Sequence, residues 1–466
     1  MKGMTLDAMA KACHGRLIGA NEIRFLKAQG IVIDSRKIHP YYVFVAIKGE
    51  RLDGHDFIKQ VFENGALAVV SEKLLDIPGK PYILVESTHK ALRDLAALYR
   101  RALCDTKVVG ISGSVGKTST KEMIASVLQQ KYRVHKTEAN HNNEIGLPLT
   151  VFKMKEEHEA AALEMGISEF EEMHRLAEIA RPNIAVITNI GLCHLETLKD
   201  RDGILKAKTE MFDHLQEGAF VVLNGDDDKL CTVSSVQGKE PLFYGVGTEK
   251  PQGAVYGEKA VYADHIQNLG LGGIKLDIHS KGDCFTAHIP IPGTHNVYNA
   301  LAATAVGKIM GLTNEEIRSG IEQMHMIDGR TNMIQVNGKT VIDDCYNANP
   351  ISMKAAFDVI STATGRTIAV LGDMNELGED KLALHYDVGK YLASKNIDVL
   401  FCTGELSKEL AKAVREHSQT CEVHEFESKY QMIGELLRFL QVGDAILVKA
   451  SHFMGFSDVV EAIITT

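Results

Sequence analysis

The sequence predicts an α/β chain in three parts, and three observations carry that prediction. The first is Val108-Val-Gly-Ile-Ser-Gly113-Ser114-Val-Gly116-Lys117-Thr118-Ser119-Thr120, an apolar run entering a glycine-rich turn. A helical pattern follows it, with Met123, Ile124, Val127 and Leu128 on one face. The second is the alternation of short apolar runs with helical patterns from about 84 to 325, the signature of a parallel sheet covered on both faces. The third is a second alternating series from about 326 to 466, preceded at the other end of the chain by a smaller mixed unit over 1 to about 83.

The glycine-rich turn is the chemical centre. Strand, turn, Lys-Thr and helix form a P-loop context in which helix-start N–H groups surround phosphate oxygens. Lys117 supplies a point charge and Thr118 a hydroxyl for Mg²⁺. The strict spacing is missed by one position, since Ile111 stands where the first glycine belongs and Gly110 lies one residue early. The flanking strand and helix outweigh that miss, and the sequence is read as binding a nucleoside triphosphate.

Composition bounds the rest. At 466 residues the chain exceeds one core, and a net charge of −10 gives nucleic acid no global electrostatic support. No uninterrupted apolar run is long enough to span a membrane, and Met1-Lys-Gly-Met-Thr-Leu-Asp has no signal-peptide core. Eight cysteines without a C-x-x-C pair fit reduced thiols in the cytoplasm.

In chain order, Thr5 reads as the N-cap of a first helix, and strands are expected at Gly30–Asp34, Tyr42–Ile47 and Leu67–Val70. Asp56–Gly65 reads as a helix stopped by its glycine. Asp34-Ser35-Arg36 is on local grounds a solvated turn; its alternative is a diphosphate or uracil site. Central strands are expected at 107–112, 160–165, 184–190 and 219–223. Polar residues follow them at Glu164, His194 and Asn224-Gly-Asp-Asp-Asp228, where open α/β sheets place ligands. Glu164 and His194 are each readable as loop polars, but a phosphate loop on the same edge favours a shared Mg²⁺ site. Glycine and short alternating runs over 245–292 suggest hairpins, and an alanine-rich helix begins after Pro292. Asn296 and Asn299 lie one turn apart there, for a ligand such as adenine or for capping. The last strands are Thr340–Asp344, Ile368–Leu371, Val399–Cys402 and Ala445–Val448; three of them end in polar or glycine-rich tips. Cys345 reads as a buried thiol.

These residues resemble the Mur ligases of bacterial cell-wall synthesis nearly end to end. The pieces are Asp34-Ser-Arg36, Gly113–Thr118, Asn142-Asn143-Glu-Ile-Gly-Leu-Pro, Glu164-Met-Gly, His194-Leu-Glu and Lys206-Ala-Lys208-Thr-Glu-Met-Phe212. They continue with Gly293-Thr-His-Asn-Val-Tyr-Asn299, Asp343-Asp-Cys-Tyr-Asn-Ala-Asn-Pro350 and Leu371-Gly-Asp-Met-Asn-Glu-Leu-Gly378. The last two mark the branch of the family that adds D-alanyl-D-alanine. The resemblance implies three domains: residues 1–83 for the UDP end of the substrate, 84–325 as a P-loop ATPase with a mostly parallel sheet, and 326–466 as a Rossmann-like ligase domain. It implies a cytoplasmic monomer that uses ATP and Mg²⁺ to join D-Ala-D-Ala to UDP-MurNAc-tripeptide through an acyl phosphate.

By the same resemblance, Gly113, Ser114, Gly116, Lys117, Thr118 and Ser119 would hold the phosphates, Asn296 and Asn299 adenine, Arg330 the phosphates and Asp344 the ribose. Thr118 and Glu164 would hold one Mg²⁺; His194 and a CO₂-derived carbamate on Lys208 would hold a second. Lys117, Glu164, His194 and Lys208 are thus the catalytic candidates. Asp34, Ser35, Arg36, Asn142, Asn143, Tyr346, Asn347 and Asn349 would meet the substrates. In the family the modified lysine lies four residues before an aromatic, so the resemblance selects Lys208, four before Phe212, over Lys206; on a helix that spacing puts both on one face, a solvated helix lysine being the alternative. The chain departs from the family at Tyr41-Tyr-Val-Phe, at Phe170-Glu-Glu-Met173 and at His452, where arginine is usual. A folylpolyglutamate-type ligase, another Mur-type ligase and a non-catalytic nucleotide scaffold are the competing readings.

Overall fold

The computed structural model describes residues 1–19, 21–249, 259–325 and 329–465. The domain start expected at 326, and the part of the expected hairpin region over 250–258, lie outside the described residues. The chain forms two compact units: 1–112, 132–186 and 207–220 make the first, and 113–131, 187–206 and 221–466 the second. Sheets occur in three regions of the chain.

In the first unit, the N-terminal sheet runs in the order Arg16–Ile18, Tyr82–Leu84, Ala68–Ser71, Tyr42–Val45, Gly30–Val32. Only the outermost pair, Arg16–Ile18 with Tyr82–Leu84, is antiparallel. Thr5 does cap the first helix, Leu6–Ala12, by accepting from the Ala8 N–H at 3.2 Å. The expected helix at 56–65 divides into a 3₁₀ turn, Gly54–Phe57, and a short α-helix, Ile58–Glu63. Asp53 explains the division: its carboxylate caps the turn at the His55 N–H, one residue pair before the α-helical register begins. The same unit contains the parallel strands Val134–Lys136, Ala160–Glu164 and Lys107–Ser112; the last two are buried on both faces save Lys107, and the first, at the sheet edge, is half-buried.

The second unit holds the helix Lys117–Leu128, packed against the alanine-rich helix His295–Ile309. Small residues permit that closeness: a Cβ on Gly307 would sit 3.1 Å from Val127, and on the helix Asn314–Glu322, which packs on the same P-loop helix, one on Gly320 would sit 2.4 Å from the Val127 Cα. The hairpins expected between 245 and 292 are present as Val261–Asn268, Ile274–Ser280 and Asp283–Ile289, paired antiparallel.

The C-terminal sheet is an open, Rossmann-like one in the order Asn332–Val336, Lys339–Asp343, Ala445–Lys449, Thr367–Leu371, Val399–Thr403, Glu422–Phe426. Every pair but the first is parallel. Helices cover both faces and make two separate apolar cores, one around Phe357 and Leu400, the other around Phe401 and Phe456. The order matters for the site. Asp343 pairs with Val448 and Leu371 with Lys449, so three strand ends far apart in sequence reach one edge together.

Candidate active site

The glycine-rich turn is held in shape by the residues that follow the strand Ile184–Ile187. That strand ends three residues before the expected 190 because Thr188 and Asn189 are engaged by the turn. Asn189 grips Val115 twice, accepting from its N–H at 2.9 Å and donating to its carbonyl at 2.9 Å. Thr188 donates to the same carbonyl at 2.7 Å. Gly113 must be glycine: its φ is +150° and an added Cβ would lie 1.9 Å from the Thr188 hydroxyl. Gly116, at φ +84°, turns the chain into the helix and leaves that N-terminus with no side-chain cap. A twelve-residue helix that starts without a side-chain cap behind such a turn is a site for phosphate. The ammonium of Lys117 folds back onto the Gly113 carbonyl at 2.8 Å.

Other expected phosphate contacts divide. Val115, Gly116 and Ser119 line a cavity of about 540 Å³. The Ser114 hydroxyl instead ties the turn to Gly191, donating to its carbonyl at 3.1 Å and accepting from its N–H at 2.9 Å. The same cavity is lined by Tyr244, His295, Tyr298, Asn299, Arg330, Asp344 and Lys449, so the second unit alone encloses it.

Asn296 does not line it. Its amide nitrogen donates to the Pro292 carbonyl at 2.9 Å, which places the side chain behind Asn299 and not against a ligand. Burial holds the His295 imidazole below its usual proton affinity, an effect that Asp344 opposes and Lys449 reinforces. The Tyr298 phenol is pushed up by burial and by Asp226.

Asp344 is buried at the edge formed by the C-terminal strand order. Its carboxylate accepts from the Thr331 N–H at 3.0 Å and from the Lys449 ammonium at 2.5 Å. Lys449 also donates to the Asn347 carbonyl at 3.0 Å. Removing one partner of a buried pair leaves an uncompensated charge and costs roughly 3–5 kcal/mol, so the two must be considered together. Sequence reasoning passed over Lys449; its signal was a lone lysine ending an otherwise apolar run, Ala445-Ile-Leu-Val-Lys449. Arg330 lies over the Tyr346 ring at 4.0 Å, and His452 approaches the same ring at 5.4 Å. Asn349 is committed locally as the N-cap of Pro350–Ile360, in a capping box with Ser352, and the Asn347 side chain accepts from the Ala348 N–H at 2.9 Å. Cys345 is buried as expected, and burial raises its thiol well above the usual range.

His194 belongs to this second unit, as the left-handed residue (φ +51°) before Leu195–Leu198; its Nδ1 is 3.3 Å from a Glu376 carboxylate oxygen. Thr118 is half-buried in the first turn of its helix.

Glu164 and Lys208 belong to the first unit. Glu164 is buried at the end of its strand, and its Oε1 accepts from the Asn142 amide at 2.8 Å. Asn143 spends its side chain on the N–H groups of Ile145 and Gly146, starting the helix Gly146–Phe152. Lys208 is 1% exposed whereas Lys206 is exposed, which removes the reading of a solvated helix lysine. One step of the spacing argument is corrected: the α-helix ends at Thr209 and Glu210–His214 is a 3₁₀ turn, so Lys208 and Phe212 do not share an α-helical face. The 3₁₀ turn advances 120° per residue, which destroys the four-residue alignment.

Asp34, Ser35 and Arg36 also lie in the first unit. Arg36 donates from its Nε to Asp34 at 2.9 Å and from a terminal nitrogen at 2.9 Å, and this bonding holds the Asp34 carboxyl down at about 2. Both residues line a groove of about 1180 Å³ with Lys37, His39 and Tyr42.

A P-loop turn, a cavity lined by its residues and a Rossmann-like sheet contributing a buried Asp–Lys pair define a nucleotide-dependent enzyme fold. The chain belongs to the Mur ligase family. Family models match at residues 27–100 (Mur ligase family, catalytic domain), 111–307 (Mur ligase middle domain) and 329–452 (Mur ligase, glutamate ligase domain). It is 37% identical over 440 residues to the UDP-N-acetylmuramoyl-tripeptide–D-alanyl-D-alanine ligase of Bacillus subtilis, covering 93% of each chain. The crystal structure of MurF from Acinetobacter baumannii is similar over 99% of each chain, with 29% identity and a TM-score of 0.87. The MurF ligase of Thermotoga maritima in complex with ADP has a TM-score of 0.81 at 29% identity, covering 94% of this chain and 97% of its own. Among the described residues no helix is long and apolar enough to cross a membrane.

Proposed function

We propose that this protein is an ATP-dependent amide ligase that joins D-alanyl-D-alanine to UDP-N-acetylmuramoyl-tripeptide. The observation that carries the chemistry is the cavity in the second unit, where Gly116 and Ser119 of the P-loop region face Arg330, Asp344 and Lys449. The substrates are taken from the relatives' printed activity, since similarity to them runs along nearly the whole chain.

The tripeptide's terminal carboxylate attacks the γ-phosphorus of ATP, forming an acyl phosphate and releasing ADP. The dipeptide's amine then attacks the acyl carbon and expels phosphate, completing the amide. The first step presses two anions together and the second expels one, so charge neutralisation is the main demand. Lys117 and Arg330 supply fixed positive charge at the phosphates, and Asp344 orients the ribose through its hydroxyls. Lys449 holds the Asp344 carboxylate in place through its ammonium.

Mg²⁺ fits the donors available. Glu164 is a buried carboxylate steered by Asn142, and the Thr118 hydroxyl stands at the helix start; both are hard oxygen donors. His194 and a carbamate on the buried Lys208 would serve a second ion. Mg²⁺ would neutralise charge on the phosphates. In this reading residues 1–83 bind the UDP end, with the Asp34–Arg36 groove as its site, 84–325 bind ATP and 326–466 bring the dipeptide, in the cytoplasm.

The test is phosphate release with purified protein, Mg²⁺-ATP and each acceptor singly and together. Turnover is expected only with both UDP-MurNAc-tripeptide and D-Ala-D-Ala, yielding ADP, phosphate and the pentapeptide. Equal phosphate release without either acceptor would overturn the ligase reading.

A further inference from the structure

A single line of hydrogen bonds joins the P-loop helix to the helix that follows Pro292, and its direction can be fixed without ambiguity. The Thr120 hydroxyl is 2.7 Å from Asn299 Oδ1, Asn299 Nδ2 is 2.9 Å from Asn296 Oδ1, and Asn296 Nδ2 is 2.9 Å from the Pro292 carbonyl. Side-chain amides can ordinarily be turned over, and a hydroxyl can donate or accept. Here the far end is a backbone carbonyl, which only accepts. Asn296 must therefore present its nitrogen to Pro292 and its oxygen to Asn299. Asn299 must then present its nitrogen to Asn296 and its oxygen to Thr120, and Thr120 must donate. The other nitrogen contact of Asn296, 3.3 Å to His295 Nε2, obeys the same polarity, because a neutral imidazole with its proton on Nδ1 accepts at Nε2.

All three side chains are buried: Thr120, Asn296 and Asn299 are 0%, 2% and 5% exposed. Turning any of them over would set donor against donor or acceptor against acceptor without water to repair it. Of the three, only Asn299 also lines the cavity. With Thr120 on one lone pair of its oxygen and Asn296 on one N–H, the lock fixes which end of the amide is nitrogen, and that nitrogen keeps its second N–H for a ligand beside the oxygen's second lone pair.

We propose that Thr120 is a positioning residue for the nucleotide base: its hydroxyl locks the Asn299 amide so that Asn299 offers a donor, and the base edge it meets carries an unprotonated ring nitrogen or another acceptor. This rests on the reading of the cavity as the nucleotide site. Thr120 lies three residues beyond Lys117, so the lock also ties the register of the base-reading helix to the helix that holds the phosphates.

The test is calorimetric binding of ADP and of tripolyphosphate to wild type, Thr120→Val and Thr120→Ser. Thr120→Val keeps the shape and removes the donor; ADP affinity should fall about ten-fold with tripolyphosphate unchanged, as for one lost buried hydrogen bond. Thr120→Ser restores the donor and should stay within about two-fold of wild type. Equal loss for ADP and tripolyphosphate would assign the hydroxyl to the phosphate loop and overturn the proposal, as would unchanged ADP affinity in Thr120→Val. A second arm uses wild type alone and so decides the matter even where Thr120→Val fails to fold. Among 1-deaza-, 3-deaza- and 7-deaza-ADP, one should bind about ten-fold more weakly than ADP; three analogues equal to ADP would overturn the acceptor edge. Wild type that binds neither ADP nor tripolyphosphate would instead refute the nucleotide cavity on which the proposal rests.

Discussion

Replacing Lys117 with alanine is expected to abolish turnover and leave the fold intact. The side chain is half-buried beside the turn, and its ammonium rests on the Gly113 carbonyl, outside both apolar cores of the C-terminal sheet. The turn itself is held by Asn189 and Thr188, neither of which depends on the lysine. What is lost is a positive charge at the phosphoryl group in transfer. That costs on the order of 3 kcal/mol or more, about 10²-fold or more in rate. Circular dichroism and thermal melting should match wild type while phosphate release disappears. A folded variant with near wild-type kcat would remove Lys117 from the mechanism.

Lys208→Ala is expected to lose most activity, and Lys206→Ala to lose little. The contrast is built into their burial: Lys208 is 1% exposed, and its neighbour two residues earlier points to solvent. Burying an ammonium is costly, and placing it near Mg²⁺ would repel the ion, whereas a carbamate offers a hard anionic oxygen. Carbamylation consumes the neutral amine, the form that burial favours. A short carboxylic acid added to Lys208→Ala should restore part of the rate by occupying the carbamate's place. In ¹³C-bicarbonate, wild type should show a carbamate carbonyl resonance that Lys208→Ala lacks and Lys206→Ala keeps. Greater damage from Lys206→Ala, or full activity in Lys208→Ala, would overturn the assignment.

What could be read in advance was whatever depends on neighbours in sequence. Thr5 caps a helix because the Ala8 N–H is three residues away, and Gly116-Lys117-Thr118 declares a phosphate turn because strand, turn and helix are contiguous. The hairpins after Val261 follow from alternation in the same way. Contacts between distant residues were hidden. Nothing near Ser114 announces Gly191, 77 residues further on. The overlong strand at 184–190 shows the same limit: Thr188 and Asn189 suit a strand by composition, but the turn 73 residues earlier claims their side chains. Lys449 stood out as a lysine ending an apolar run, but its pairing with Asp344 depends on sheet order, which periodicity does not contain.

That order carries a consequence for how the protein comes to be active. The strand Ala445–Lys449 is an interior one, hydrogen-bonded on one side to Lys339–Asp343 and on the other to Thr367–Leu371. Two strands that precede it by roughly 105 and 80 residues therefore each keep an open edge until this late segment pairs between them. Long-range parallel pairing of this kind is slow, because loop-closure entropy is spent before contacts repay it. The same insertion brings Lys449 to Asp344, so the sheet and the ribose end of the cavity are completed in one event.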